Sequence, residues 1–92
     1  MSFERIHWTM HALRRLHDRP EISDVEVEDA LRAPDQVVPD RRPGRWIAQK
    51  RLDTTRAPML LRVFFTDAGG GEIVVVSFYR TVQVARYWRT DQ

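Results

Sequence analysis

The chain has no cysteine, a single lysine and only four glycines among its 92 residues. Without cysteine there is no disulfide, no thiolate nucleophile and no thiolate zinc site, which fits a reducing compartment. The first residues hold no apolar leader core, and no apolar run approaches the length that crosses a bilayer. The expectation is therefore a cytoplasmic protein that meets no membrane. Gly69-Gly70-Gly71 is followed by neither Lys nor Ser/Thr and leads into a strand, which excludes a phosphate loop. What is present is arginine. Fourteen of the fifteen basic residues are Arg, Lys50 being the exception, and the net charge is +2. The guanidinium fork suits phosphate and carboxylate, although GC-rich genomes produce the same bias. Hydrophobic residues make up 42%, enough to build one core, so residues 1–92 are read as a single domain.

Thr9-Met10-His11-Ala12-Leu13-Arg14-Arg15 is the most informative local stretch. Thr9 is placed to cap a helix by accepting from a first-turn N–H, with Trp8 and Leu13 as a hydrophobic staple. His11 then sits at the positive end of the helix dipole, with Arg15 one turn on and Arg14 beside it. Free helix-start N–H groups, an imidazole and a cation together suit a phosphate. His7 and His11 are four residues apart, but a Thr9 cap leaves His7 before the helix and removes the metal-binding sense of that spacing.

The remaining pattern predicts two helices followed by a strand meander. Phe3 to Trp8 reads as an edge strand, and Met10 to Asp18 as a helix burying Met10, Leu13, Leu16 and His17, ended by Pro20. Ser23 and Glu26 form a capping box for a second helix, with Ile22 and Val27 as its staple and Val27, Ala30 and Leu31 as its buried stripe. Strands are expected at Gln36–Pro39, Arg45–Leu52, Met59–Thr66 and Glu72–Arg80, with a loop over Asp53–Pro58 and a short helix within Thr81–Trp88. A hairpin centred on Gly69 sets Thr66 opposite Glu72, Phe64 opposite Val74, Arg62 opposite Val76 and Leu60 opposite Phe78. Alternation then places Arg62, Phe64, Phe78 and Arg80 on one face, and Leu61, Val63, Phe65, Ile73, Val75, Ser77 and Tyr79 on the other.

The ordered set Thr9-x-His11-Ala12-x-x-Arg15, Ile22-Ser23-x-x-Glu26-Val27, Pro34, Lys50, Leu61-Arg62-Val63 and Ile73-Val74-Val75-Val76-Ser77-Phe78-Tyr79 resembles a small bacterial family of unknown function. That family looks related to RelE/ParE-type and BrnT-type toxins. The likeness spans roughly Ile6 to Trp88 and departs at Arg19-Pro20-Glu21-Ile22, where the family has Arg-Gly-Ile. It implies an α+β fold, with two N-terminal helices packed on one face of a twisted antiparallel sheet of three to five strands. In the RelE and BrnT branches it implies a metal-independent endoribonuclease without cofactor, acting on single-stranded or ribosome-bound mRNA. It further implies a toxin–antitoxin system whose acidic antitoxin covers the arginine-bearing sheet face. Catalytic residues vary among members of those branches, so no complete set carries over.

Metal-free cleavage by 2′-hydroxyl attack needs a proton acceptor, a donor for the 5′-oxygen and cations for the phosphorane. The expected catalytic residues are His11 for the proton and Arg15, Lys50 and Arg62 around the phosphate, with Tyr79, Arg80 and Arg86 binding substrate. Each has a plainer reading beside it. His11 is a first-turn histidine, and Arg15 pairs with Asp18 or a helix-two acid. Arg62 serves a partner contact, Lys50 a solvated edge, Tyr79 the core, and Arg80 and Arg86 the surface. The alternative function is a non-catalytic RNA- or protein-binding module, and a third is a structural subunit that associates through Tyr87-Trp88. The catalytic proposal requires His11 and Arg62 to border one pocket.

Overall fold

The structure, a computed structural model, describes residues 3–53 and 57–90. The described elements run β1 (Arg5–Trp8), α1 (Met10–Asp18), α2 (Asp24–Arg32), β2 (Gln36–Pro39), β3 (Arg45–Asp53), β4 (Pro58–Gly69), β5 (Glu72–Thr81) and α3 (Val84–Tyr87). The protein is α+β, with one five-stranded sheet ordered β1-β5-β4-β3-β2. The sheet is mixed rather than wholly antiparallel, because β1 runs parallel to β5 from Arg5–Glu72 to Trp8–Val75. A strand so far upstream in the chain is free to return in either direction, and nothing local fixes which. Asp53 and Pro58 pair within β3 and β4, and the rest of the predicted loop, residues 54–56, lies outside the described residues. None of the helices is long and apolar enough to cross a membrane among the described residues.

Both long helices start on the predicted caps. Thr9 accepts from the Ala12 N–H at 3.1 Å and Ser23 from the Glu26 N–H at 3.1 Å, each in extended geometry. Asp24 and Glu26 complement the positive end of α2, and Arg32 its negative end. Ile22 and Val27 are both buried, as their staple requires. Ala12 of α1 and Val27, Ala30 and Leu31 of α2 join Ala48, Leu61, Val63, Phe65, Ile73, Val75 and Phe78 in one core. Helix α1 packs on β5, and α2 on β4 and β3.

The buried stripe of α1 differs from the expected one. Met10 and Leu13 are exposed, at 74% and 46%, whereas Ala12 is fully buried and Leu16 packs on the core. Polar contacts set this rotation. Thr9 N–H donates to the Val75 carbonyl at 3.1 Å, Thr9 Oγ1 to the Val76 carbonyl at 3.3 Å, and Arg15 Nε to the Phe78 carbonyl at 2.6 Å. The pairing of β1 stops at Val75, so α1 satisfies the edge of β5 beyond it. A small side chain must then face the sheet, and Ala12 does.

The β4–β5 register is also corrected. Thr66 pairs with Val74, Phe64 with Ser77, Arg62 with Tyr79 and Leu60 with Thr81. Gly69 pairs with Glu72, and the turn residues Gly70 and Gly71 have φ of 62° and 80°, the positive values that tight hairpins matching strand twist require. Phe65 faces Val75 while Phe64 faces Ser77, leaving Val76 as an extra residue in β5. Such a bulge reverses the alternation beyond it. Phe78 and Arg80 therefore join the helix-covered side, and Ser77 and Tyr79 pass to the side of Arg62 and Phe64.

Leu31→Ala, deep under α2, is expected to cost about 2–5 kcal/mol in chemical denaturation, whereas Val25→Ala on the exposed side of the same helix should stay within about 0.5 kcal/mol.

Candidate functional site

The sheet face turned away from α1 and α2 carries a polar row across four strands. Gln36 of β2 pairs with Gln49 of β3, Gln49 with Arg62 of β4, and Arg62 with Tyr79 of β5. Their side chains bond in the same order. Gln49 Nε2 donates to Gln36 Oε1 at 3.1 Å, Arg62 Nε to Gln49 Oε1 at 2.7 Å, and Arg62 Nη1 to Tyr79 Oη at 2.5 Å. The next row, Val38, Ile47, Phe64 and Ser77, is apolar over its first three members. It makes this face part core, part cleft.

Arg62 is 8% exposed and Gln49 fully buried. Three aromatic rings surround the guanidinium, with its central carbon 4.0 Å from the Tyr87 centroid, 5.4 Å from Phe64 and 5.6 Å from Tyr79. Phe64 and Tyr79 stack at 5.9 Å, and Tyr87 stands edge-on to Tyr79 at 6.3 Å. These contacts favour a cation but do not neutralise it. Among the described residues no carboxylate pairs with Arg62. Burial raises the Tyr79 phenol above its ordinary value of 10.0, against the opposing pull of Arg62. Like an ordinary phenol, it is protonated at neutral pH, and its oxygen accepts from the guanidinium.

A cavity of about 370 Å³ opens on this arrangement, lined by Pro39, Asp40, Arg41, Ile47, Arg62, Phe64, Tyr79, Arg86 and Tyr87. Arg41 and Arg86 are exposed at its rim. Asp40 is the acid there, and its carboxylate is engaged with the Arg41 N–H at 2.7 Å and with Arg45 at 3.8 Å. The cleft combines one buried guanidinium, two exposed ones, a protonated phenol and aromatic surface. That set suits a phosphate attached to something flat.

The predicted site residues divide between the two sides of the sheet. Arg62, Tyr79 and Arg86 border this cavity together. His11 and Arg15 line a separate pocket with Arg14, Asp18 and Arg19. His11 and Arg62 therefore share no cavity, and the pairing expected of them is withdrawn. His11 lies on α1, over the face opposite to Arg62. Arg15 is engaged by the Phe78 carbonyl. Lys50 neighbours Gln49 in β3 and so points to the helix side, where Nζ bonds the Ala33 carbonyl at 2.9 Å and Asp29 at 3.1 Å, closing the C-terminus of α2. Arg80, moved by the bulge, grips Glu26 through Nε at 2.9 Å and Nη2 at 2.5 Å. Glu26, expected as the capping-box partner of Ser23, is half-buried in this bridge.

Gln36, Gln49 and Tyr87 were missed as site residues. The apolar run Trp46-Ile47-Ala48 leading into Gln49 was the available signal for that residue, and Tyr87 entered only as an association residue. Comparison of the chain with protein-family models, with curated proteins and with solved structures finds no match.

Because the Tyr79 pKa is raised by folding, its contribution to stability is intact below about pH 10 and is lost as pH climbs through the folded value. Melting temperature followed from neutral to alkaline pH should fall more steeply above about pH 10 for the wild type than for Tyr79→Phe.

Proposed function

We propose that the face around Arg62 binds single-stranded RNA, seating a phosphate against Arg62 and Arg86 and a base against the neighbouring aromatic surface. One observation carries this reading: a guanidinium only 8% exposed has neutral hydrogen-bond partners alone among the described residues and borders an open cavity with two further arginines. A buried charge left without a counter-charge is costly unless something completes it, and a phosphate oxygen does so. The likeness to RelE/ParE-type and BrnT-type toxins supports RNA as the carrier of that phosphate. Under the same reading, the partner is an acidic antitoxin segment that competes for this face, and the fold is a RelE-like variant with a parallel edge strand.

The reading is tested with a labelled single-stranded RNA in EDTA, measured by fluorescence anisotropy over a salt series. Wild type should bind saturably at about 50 mM salt, and Arg86→Ala should weaken binding and flatten the logarithmic salt slope by about 0.7 for one phosphate contact. His11→Ala should bind as wild type does. No saturable binding by wild type, or equal loss in His11→Ala and Arg86→Ala, would sink the proposal.

Turnover is the second reading, favoured by the Tyr79 hydroxyl lying 2.5 Å from Arg62. The 2′-hydroxyl proton passes to solvent as the oxygen attacks phosphorus, the Tyr79 phenol donates its proton to the leaving 5′-oxygen and is reprotonated from water, and the guanidinium stabilises the phosphorane. His11 has no part in it. On a denaturing gel, wild type should then cleave RNA in EDTA and Tyr79→Phe should bind it uncut. Equal cleavage by both excludes Tyr79 as the acid.

A further inference from the structure

We propose that Gln49 is a positioning residue, a buried amide that fixes the Arg62 guanidinium while leaving its charge for a phosphate. The inference rests on Arg62 as a phosphate seat and adds what holds that seat in place. Arginine has five N–H donors and no acceptor. Arg62 Nε donates to Gln49 Oε1, so the carbonyl end of that amide faces Arg62 and the nitrogen faces away. The nitrogen donates to Gln36 Oε1 at 3.1 Å and to the Tyr87 carbonyl at 3.0 Å. Gln36 is oriented in turn. Its Oε1 also accepts from the Arg89 N–H at 3.1 Å, and its Nε2 donates to the Arg89 carbonyl. One donor-only side chain thus sets the direction of two amides, and these pin the segment that lays Tyr87 over Arg62. Among the described residues no buried side-chain nitrogen or oxygen lacks a partner, so the row is satisfied in this direction.

Glutamate has the same shape, yet it fails at both ends of this position. Its carboxylate would neutralise Arg62 and has no proton for Gln36 Oε1 or the Tyr87 carbonyl. The position demands an acceptor toward Arg62 and a donor away from it, and a side-chain amide supplies both. An ionic partner would also be the stronger one for a buried guanidinium. The neutral amide leaves the positive field directed at the cavity, where an anion can meet it.

The test follows the Arg62 Nε–Hε resonance in the full chain, with inorganic phosphate and then a short single-stranded RNA as probes. In wild type, Hε exchanges slowly with water and its resonance shifts as each probe is added. In Gln49→Glu, core amide resonances hold their positions and the Arg62 resonance stops responding. RNA affinity in that variant falls about tenfold or more, as expected when one charge-assisted contact is lost. In Gln36→Leu the Arg62 response persists, while the Arg89 amide exchanges faster. Rapid Hε exchange or no phosphate response in wild type overturns the proposal, as does an undiminished response in Gln49→Glu. Loss of the response in Gln36→Leu overturns it too, because Gln49 would then act only through the general packing of the row. Should Gln49→Glu fail to fold, the wild-type exchange rate and the Gln36→Leu response decide. An Arg62 that answers phosphate but not RNA supports Gln49 and rejects RNA as the ligand.

Discussion

The extra residue in β5 is the constraint on which the rest of the arrangement depends. Without Val76 as a bulge, strict alternation would send Tyr79 into the helix-covered core and bring Phe78 out beside Arg62. With it, Phe78 fills the core and meets Trp8 edge-on at 6.1 Å, while Tyr79 reaches Arg62 on the opposite side. Arg80 is turned toward Glu26 by the same step, tying α2 to the sheet. Beyond the end of β1 the bulge also sets which carbonyls of β5 face α1, and the Thr9 hydroxyl and the Arg15 guanidinium donate to those of Val76 and Phe78. A single insertion thereby fixes the seat of one helix, the anchor of another and the composition of the polar face.

That division gives the two sets of arginines different work. Arg15 and Arg80 are bound to a carbonyl and a carboxylate and hold elements together. Arg62 is held as firmly, but by an amide, a phenol and aromatic rings, none of which cancels its charge. Burial in low dielectric magnifies that field wherever the cavity admits a ligand. The cleft's chemistry thus comes from the neutrality of what surrounds Arg62 rather than from a high count of cations.

Much of the fold was legible because its signals are local. Thr9 and Ser23 cap by their own side chains, Pro20 stops a helix, and the glycine turn requires positive φ. Each of these acts within a few residues. The misread features arise from contacts between distant segments. Ile73-Val74-Val75-Val76 is continuously apolar, so its composition has no mark at the residue where alternation reverses. The rotation of α1 follows from carbonyls more than sixty residues downstream, which no periodicity within α1 encodes. Lys50 and Gln49 illustrate the site itself. Arg62 drew attention as a charge in an apolar strand, but its true partner is an uncharged neighbour of the lysine, visible only once β3 and β4 are paired.

The parallel pairing of β1 with β5 imposes an order on folding. Arg5 to Trp8 find their partners at Glu72 to Val75, a separation that closes most of the described chain into one loop. Such contacts form late, since their loop-closure entropy is met before any reward. Until β5 arrives, β1 lacks its ladder and the Thr9 and Arg15 donors lack the carbonyls that seat α1. The polar face waits still longer, because Tyr87 and Arg89 complete it. The cleft around Arg62 would therefore be among the last features of this fold to assemble, so that the guanidinium stays in water until its amide and aromatic surroundings are in place.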